Sequence, residues 1–248
     1  QHEPVTEHCA TTGAAVPAQY EGTPVTSDLA IEHAMASALQ RVRELQAATL
    51  GVSLDVPIRR VGDLGSPLGN LFAEAIRAAV PGADVAAINN AARLWADLGE
   101  GSLTFGRLYD VFPFDNRIAR ITLSGAELGR WLAGEIRQGR RGWLGLSGVE
   151  VRATCLGDGL QLELFRGVRR VQDDDRLVAV TIGAPTLSGS LASSAPLGGV
   201  GPIGNAPVVR EVVEDWFRRL RQSAQARLDQ ATRRRSAFSD PPLANCAL

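Results

Sequence analysis

The sequence has no lysine, so all 26 of its basic side chains are arginines. Because arginine chemistry alone would not remove every surface lysine, this absence indicates a compositional bias of the genome. The 26 basic residues stand against 27 acidic ones, which gives a formal net charge of -1. Such a balance argues against a surface dedicated to nucleic acid or to an anionic membrane. No apolar run of about 18 residues is present, so we expect no membrane span.

Cysteine is scarce as well, with Cys9, Cys155 and Cys246 as the only three. Their spacing matches no metal site, and an odd number leaves at least one thiol unpaired. A bridge between Cys9 and Cys246, as in an exported protein, and three separate buried thiols are both compatible with the sequence.

Apolar periodicity and capping signals predict the helices of a chain that is long enough to bury a substantial core. Ser66 and Pro67 have the residue types of an N-cap and a first helical position. Ser124 and Glu127 form the pattern of a capping box. The predicted helices are a long one over 28–50 that Ser27 caps and Gly51 ends, one over 66–80, one over 103–111, one that follows Ser124, and a last one from Pro207 to Ala224.

Short apolar or alternating runs between these helices predict strands, and their irregular interleaving favours an α+β fold of mixed α/β layers. We expect residues 26–232 to form one domain, with an irregular tail or junction remnant at 1–25 and a tail at 233–248. The segment 184–206 is rich in Gly, Ser and Pro and is typical of a long loop. The predicted strands cover 84–88, 117–123, 147–154, 159–166 and 176–183.

Six short motifs occur in a fixed order and together resemble the C-terminal domain of the 5'-nucleotidase family. Each is weak alone, but their shared order and spacing are specific, and the resemblance covers about residues 26–230. It implies a layered α/β domain that grips a nucleoside, with 28–50 as a connecting helix, and a separate domain that holds two divalent metals. The motifs are Ser66-Pro-Leu-Gly-Asn-Leu71, Gly82-Ala-Asp-Val-Ala-Ala-Ile-Asn-Asn90, Gly101-Ser-Leu-Thr-Phe-Gly-Arg-Leu-Tyr109, Pro113-Phe-Asp-Asn116, Leu123-Ser-Gly-Ala-Glu-Leu128 and Leu146-Ser-Gly148.

The resemblance also implies which residues bind the base, which the family holds between two aromatic rings because stacking accepts any base. One ring corresponds to Phe114, although a Phe after Pro is equally consistent with a core position. An alignment without gaps puts Gly183 at the second ring and Gly189 at the family's ribose-binding aspartate. The alternative register puts Ser194 at the second ring and Val200 at the aspartate. In both registers the chain therefore lacks the second aromatic ring and the ribose-binding carboxylate.

A further family turn, Asn-x-Gly-Gly-Ile-Arg, corresponds here to Asn90-Ala-Ala-Arg-Leu-Trp95. Trp95 occupies the arginine position, and it is either a replacement stacking face or a surface or core residue without a ligand. Arg93 would replace the arginine only if the turn is rebuilt, because Ala accommodates positive φ poorly. The candidate substrate-binding residues are therefore Phe114, Asn90, Arg93, Trp95 and Asn116.

A site for two metals needs clustered Asp, His and Asn ligands, and the sequence does not supply this set. The histidines are His2, His8 and His33, and none follows residue 33. We expect His33 to be structural, and we expect the acidic run 173–175 to be a solvated turn. The resemblance therefore implies no catalytic residue, no metal site and no cofactor in this chain.

Two functions remain open at this point. The chain is either the nucleoside-recognition domain of a nucleotide-hydrolysing phosphoesterase, inactive alone, or a degenerate interaction module that has lost nucleotide binding. The expected partners of the first are a nucleoside or nucleotide and a metallophosphoesterase domain or chain. The sequence starts at Gln1 and not at Met, which indicates a processed or truncated product. Together with the resemblance, this predicts a location in the periplasm or the extracellular space.

Overall fold

The computed structural model describes residues 18–63, 65–89, 93–156, 159–183, 201–202, 206–220, 228–229, 232 and 236–238. The chain forms two compact units, Gln1–Glu44 and Leu45–Leu248. In the described part the helices are α1 (Leu29–Ala47), α2 (Pro67–Ala79), α3 (Phe105–Val111), α4 (Gly125–Arg137) and α5 (Val209–Leu220). The strands are β1 (Gln19–Tyr20), β2 (Thr23–Pro24), β3 (Thr49–Leu54), β4 (Val85–Asn89), β5 (Gly101–Thr104), β6 (Ile118–Ser124), β7 (Leu144–Ser147), β8 (Glu150–Leu156), β9 (Gly159–Arg166), β10 (Arg169–Arg170), β11 (Arg176–Ile182), β12 (Gly201–Pro202) and β13 (Ser236–Phe238).

The first unit contains a short hairpin, β1–β2, and most of α1. The hairpin lies in a segment that we expected to be irregular, and its turn uses Glu21 and Gly22, both at positive φ. Helix α1 is shorter than the predicted 28–50 helix. Its start is capped by the Asp28 carboxylate, which accepts from the Ala30 and Ile31 amides, and not by Ser27.

The larger unit is built on a sheet of five described strands in the order β12-β6-β11-β4-β7. Strands β11 and β4 are parallel, and the other neighbours are antiparallel. Successive residues of β4 enter different cores: Ala86 and Ile88 pack in one apolar cluster, and Val85 and Ala87 pack in the other. The sheet is therefore the middle of three layers, and the α+β class with mixed α/β layers is the one that the sequence predicted.

Helices α2, α3 and α5 and strand β3 contribute to the first cluster, and α4 and strands β8 and β9 contribute to the second. Strands β8 and β9 belong to a sheet of order β10-β9-β8-β13. Strand β13 pairs in parallel with β8 inside a segment expected to be a tail. Strands of two or three residues are too short for a sequence pattern to reveal.

The start of α2 shows why its motif has these residues. Ser66 accepts from the Gly69 amide at 2.7 Å and donates to the Arg60 carbonyl at 2.6 Å. Asn70 is buried, and its side-chain oxygen accepts from the Leu146 amide at 2.8 Å. A side chain at Gly145 would overlap the Gly69 backbone, so the two glycines allow α2 to lie directly on β7. The motif is thus structural, and the predicted cap and Pro position are confirmed.

Other local predictions had mixed outcomes. The capping box of Ser124 and Glu127 is present. The helix expected over 103–111 begins only at Phe105, because Thr104 ends β5 and caps α3. The strand expected over 147–154 is two strands, β7 and β8, because Gly148 at φ +74° turns the chain between them.

Cys155 in β8 is disulfide-bonded. The expectation of three free thiols is therefore wrong. The alternative of a Cys9–Cys246 bridge falls on cysteines that lie outside the described residues. Among the described helices, none combines the length and the apolar character needed to cross a bilayer.

At two glycines of α4, we expect substitution by alanine to change the stability in opposite directions. A Cβ at Gly134 meets open space, so we expect Gly134→Ala to raise the free energy of unfolding by about 0.5–1 kcal/mol through helix propensity. A Cβ at Gly125 would overlap the Gln172 carbonyl and lie 2.8 Å from a Val171 methyl. Gly125→Ala should therefore lower the free energy of unfolding. Urea titration of both variants measures the two changes. Equal effects of the two substitutions would contradict this packing.

Candidate functional site

Trp95 is a large apolar side chain that is 60% exposed, although the loop that carries it is held firmly. Leu94 beside it is buried in the first cluster. The Trp95 amide donates to the Val111 carbonyl at 2.9 Å. Arg60 donates from one guanidinium nitrogen to the carbonyls of Leu94 and Trp95, at 3.1 and 2.8 Å. The loop backbone therefore fixes an indole ring at the surface.

Phe114 joins this indole to the core. Its ring is half-buried, packs against the first cluster and meets the Trp95 ring at a centroid distance of 5.2 Å and an angle of 85°. Phe112 lies behind it at 5.6 Å and is fully buried next to Phe72. Phe114 thus lies at the edge of the core, which is one of the two roles considered for it, and its ring also contacts the surface tryptophan.

Arg210 of α5 fixes the loop that carries Phe114. Its guanidinium donates to the Phe114 carbonyl at 3.1 Å and to the Asp115 carboxylate at 2.7 Å, and it lies over the Tyr109 ring at 4.9 Å. The side chain is only 13% exposed. Neither Arg210 nor Arg60 could be predicted from the sequence, because no local signal distinguishes these arginines from the 24 others.

The other candidate residues have different surroundings. Asn116 donates its side-chain amide to the Gly183 carbonyl at 2.8 Å, so it ties the start of β6 to the end of β11. Arg93 lies at the start of the Trp95 loop, and partial burial lowers the pKa of its guanidinium. Asn90 lies outside the described residues, as do Gly189, Ser194 and Val200.

The geometry allows a base to stack on one side of the indole but not to lie between two rings. A base held between two rings needs parallel faces about 7 Å apart, twice the van der Waals separation. Trp95 and Phe114 are nearly perpendicular and already in contact, so no base fits between them. At 60% exposure, the indole keeps a face in solvent that a planar ligand can cover.

The described residues contain no group of three His, Cys, Asp or Glu side chains placed to hold a metal ion. The acidic run 173–175 is a turn in which Asp175 accepts from the Gln172 amide and from Arg169, both at 2.8 Å. The backbone hydrogen bond is the main reason that the pKa of Asp175 is lowered.

The model of the family described as "5'-nucleotidase, C-terminal domain" matches residues 46–159. That range includes Trp95, Phe114 and Asn116. Among curated proteins, no sequence matches this chain significantly.

Solved structures with a similar fold include a 5'-nucleotidase precursor from Thermus thermophilus, at 19% identity and a TM-score of 0.64, covering 90% of this chain and 45% of that one. The NAD nucleotidase of Haemophilus influenzae matches at 14% identity and a TM-score of 0.56, over 90% of this chain and 42% of its own. A sulfate thiohydrolase from Thermus thermophilus matches at 16% identity and a TM-score of 0.57, over 86% of this chain and 37% of its own.

At these identities the similarity concerns the fold, and this chain spans less than half the length of each of these structures. Residues 46–159 therefore match the C-terminal domain of the 5'-nucleotidase family, and the fold of the chain is similar to that of solved 5'-nucleotidase structures.

Proposed function

We propose that this domain recognises a nucleoside or nucleotide by stacking the base on the exposed face of Trp95, and that it serves a nucleotide-hydrolysing phosphoesterase. The observation that carries the proposal is an indole that is 60% exposed while its backbone is held by Arg60 and Val111. An exposed indole costs free energy in water, and a ligand that covers it recovers that free energy without ordering the loop first.

Phe114 has a supporting role in this proposal. Its perpendicular contact with Trp95 restricts rotation of the indole, while Arg210 holds the Phe114 loop by two hydrogen bonds. Arg93 stands at the base of the same loop as Trp95 and supplies a positive charge that suits a phosphate group. The domain thus binds with one stacking face where other members of its family use two rings.

In this proposal the chain alone does not hydrolyse phosphate esters. Hydrolysis by the family needs two divalent metals, and neither the sequence nor the described residues supply a ligand set for them. The metals would come with another domain or chain that receives the nucleotide. A periplasmic or secreted location fits the disulfide at Cys155, because such bonds persist in oxidising compartments.

The first prediction concerns Trp95. Titration calorimetry with adenosine, AMP and a UDP-sugar should give micromolar binding of at least one ligand. Loss of the stacked ring in Trp95→Leu should weaken that binding about 5- to 150-fold, since stacking contributes about 1–3 kcal/mol per base. Trp95→Phe is the matched control, because it keeps an aromatic face and should retain most of the affinity.

Equal binding by the Leu and Phe variants would contradict a stacking role. Absence of heat with all three ligands, from a protein whose thermal unfolding is normal, would favour the rival function of an interaction module. The perpendicular rings are the observation that favours that rival, because they exclude the sandwich.

The second prediction concerns catalysis. The chain alone should show no turnover of AMP or of p-nitrophenyl phosphate with added Mn²⁺ or Zn²⁺, measured as release of inorganic phosphate. Preparations treated with a chelator give the background rate. Metal-dependent turnover above that rate, proportional to the concentration of this chain, would refute the proposal that another domain or chain supplies the catalysis.

A further inference from the structure

A groove of 560 Å³ lies between α4 and the strands β9 and β10, lined by residues that the Trp95 site does not use. On the strand side, Leu160 and Leu162 are half-buried at the border of the second apolar cluster. On the helix side, the wall consists of Ala126, Gly129 and Ala133. Nothing lies within 4 Å of a Cβ built on Gly129, so the wall leaves room for side chains from outside.

The edge of β9 that borders this groove has no partner strand, within the described residues, along part of its length. Strand β10 pairs only with Phe165 and Arg166, and β8 pairs on the opposite side. The Val171 amide donates to the Leu164 carbonyl, which shows that even-numbered residues of β9 direct their backbone groups to this edge. The N–H and C=O groups of Leu160 and Leu162 therefore face a side where no described strand pairs with them.

The rim of the groove has an excess of positive charge on its helix side. Arg130 and Arg137 are exposed and two helical turns apart, about 10.5 Å along the axis. Neither has an ion pair or a hydrogen-bond partner among the described residues. Arg170 is paired with Glu163 at 3.4 Å.

Asp173 is the remaining acid of the lining. It lies beside the start of α4, where its carbonyl accepts from the Ala126 amide. The part of the rim near Arg130 and Arg137 therefore has no opposing carboxylate in the described lining.

We propose that this groove binds an extended acidic peptide, which adds to the edge of β9 as a further strand. Strand addition supplies main-chain hydrogen bonds, and alternate side chains supply specificity. A residue opposite Leu160 or Leu162 has its side chain on the same face of the sheet, so it points into the groove. Two acidic residues four apart are about 13 Å from each other in a strand, which the long side chains of Arg130 and Arg137 can reach.

A synthetic peptide tests this geometry. The probe is fluorescein-labelled Thr-Glu-Thr-Val-Thr-Glu-Thr, in which one face carries Glu, Val and Glu and the other carries Thr. Fluorescence anisotropy should show saturable binding that weakens as salt is raised, because the ion pairs lie at an exposed rim. The counterpart with Lys in place of both Glu residues should bind at least about tenfold more weakly.

N-methylation of the peptide separates strand addition from charge attraction. We expect the added strand to be antiparallel to β9, as β8 and β10 are, so only its residues on the groove-facing side hydrogen-bond to β9. Methyl groups on the amides of Glu and Val should therefore abolish binding. Methyl groups on the amides of the inner Thr residues form the matched control and should be tolerated.

Two variants of the protein test the location. Gly129→Phe places a ring in the groove, and Val168→Phe places the same ring on the exposed turn between β9 and β10, outside the groove lining. The first should abolish peptide binding and the second should leave it unchanged, with thermal unfolding of both followed by circular dichroism. The double variant Arg130→Ala, Arg137→Ala should weaken binding at least about tenfold.

The proposal is overturned if the acidic peptide does not bind, if the Lys peptide binds equally, or if folded Gly129→Phe binds as well as Val168→Phe. Displacement of the peptide by millimolar inorganic phosphate, with both patterns of N-methylation tolerated, would also overturn it. That result would show an anion site at the arginines without strand addition. None of these outcomes depends on nucleoside binding at Trp95.

Discussion

The central sheet is the constraint on which the larger unit depends, because it is apolar on both faces and must be covered on both. Val85 and Ala87 of β4 need one covering layer, and Ala86 and Ile88 need the other. Burial of such side chains contributes about 25 cal/mol per Å² of apolar surface. Helix α2 can cover one face closely only because Gly145 lets the α2 backbone approach. The requirement to cover both faces gives the larger unit its layers. The layers in turn position the ends of the strands and helices.

The candidate site depends on the same layers through two arginines. Arg60 follows β3, and Arg210 is in the first turn of α5. Each donates to backbone carbonyls of a loop that carries an aromatic ring, Trp95 in one case and Phe114 in the other. A guanidinium suits this task because its several N–H groups diverge in one rigid plane. Aromatic side chains at the surface can thus be fixed by polar contacts to their backbone.

Local features of this fold could be predicted from the sequence because their causes are local. The caps at Ser66 and Ser124 depend on residues within three positions, and the structure confirms both. The order of the motifs identified the domain and the candidate residues Phe114 and Trp95. Their perpendicular contact could not be predicted, because it depends on Arg60 and Arg210, which are 35 and 96 residues from the carbonyls they hold.

A crystal structure of the protein with adenosine tests most directly whether a base lies on Trp95. The account predicts the adenine ring parallel to the exposed face of Trp95 at a separation of about 3.5 Å, with Phe114 still edge-on to the indole. Adenine bound elsewhere, or inserted between rings that have moved apart, would contradict the account.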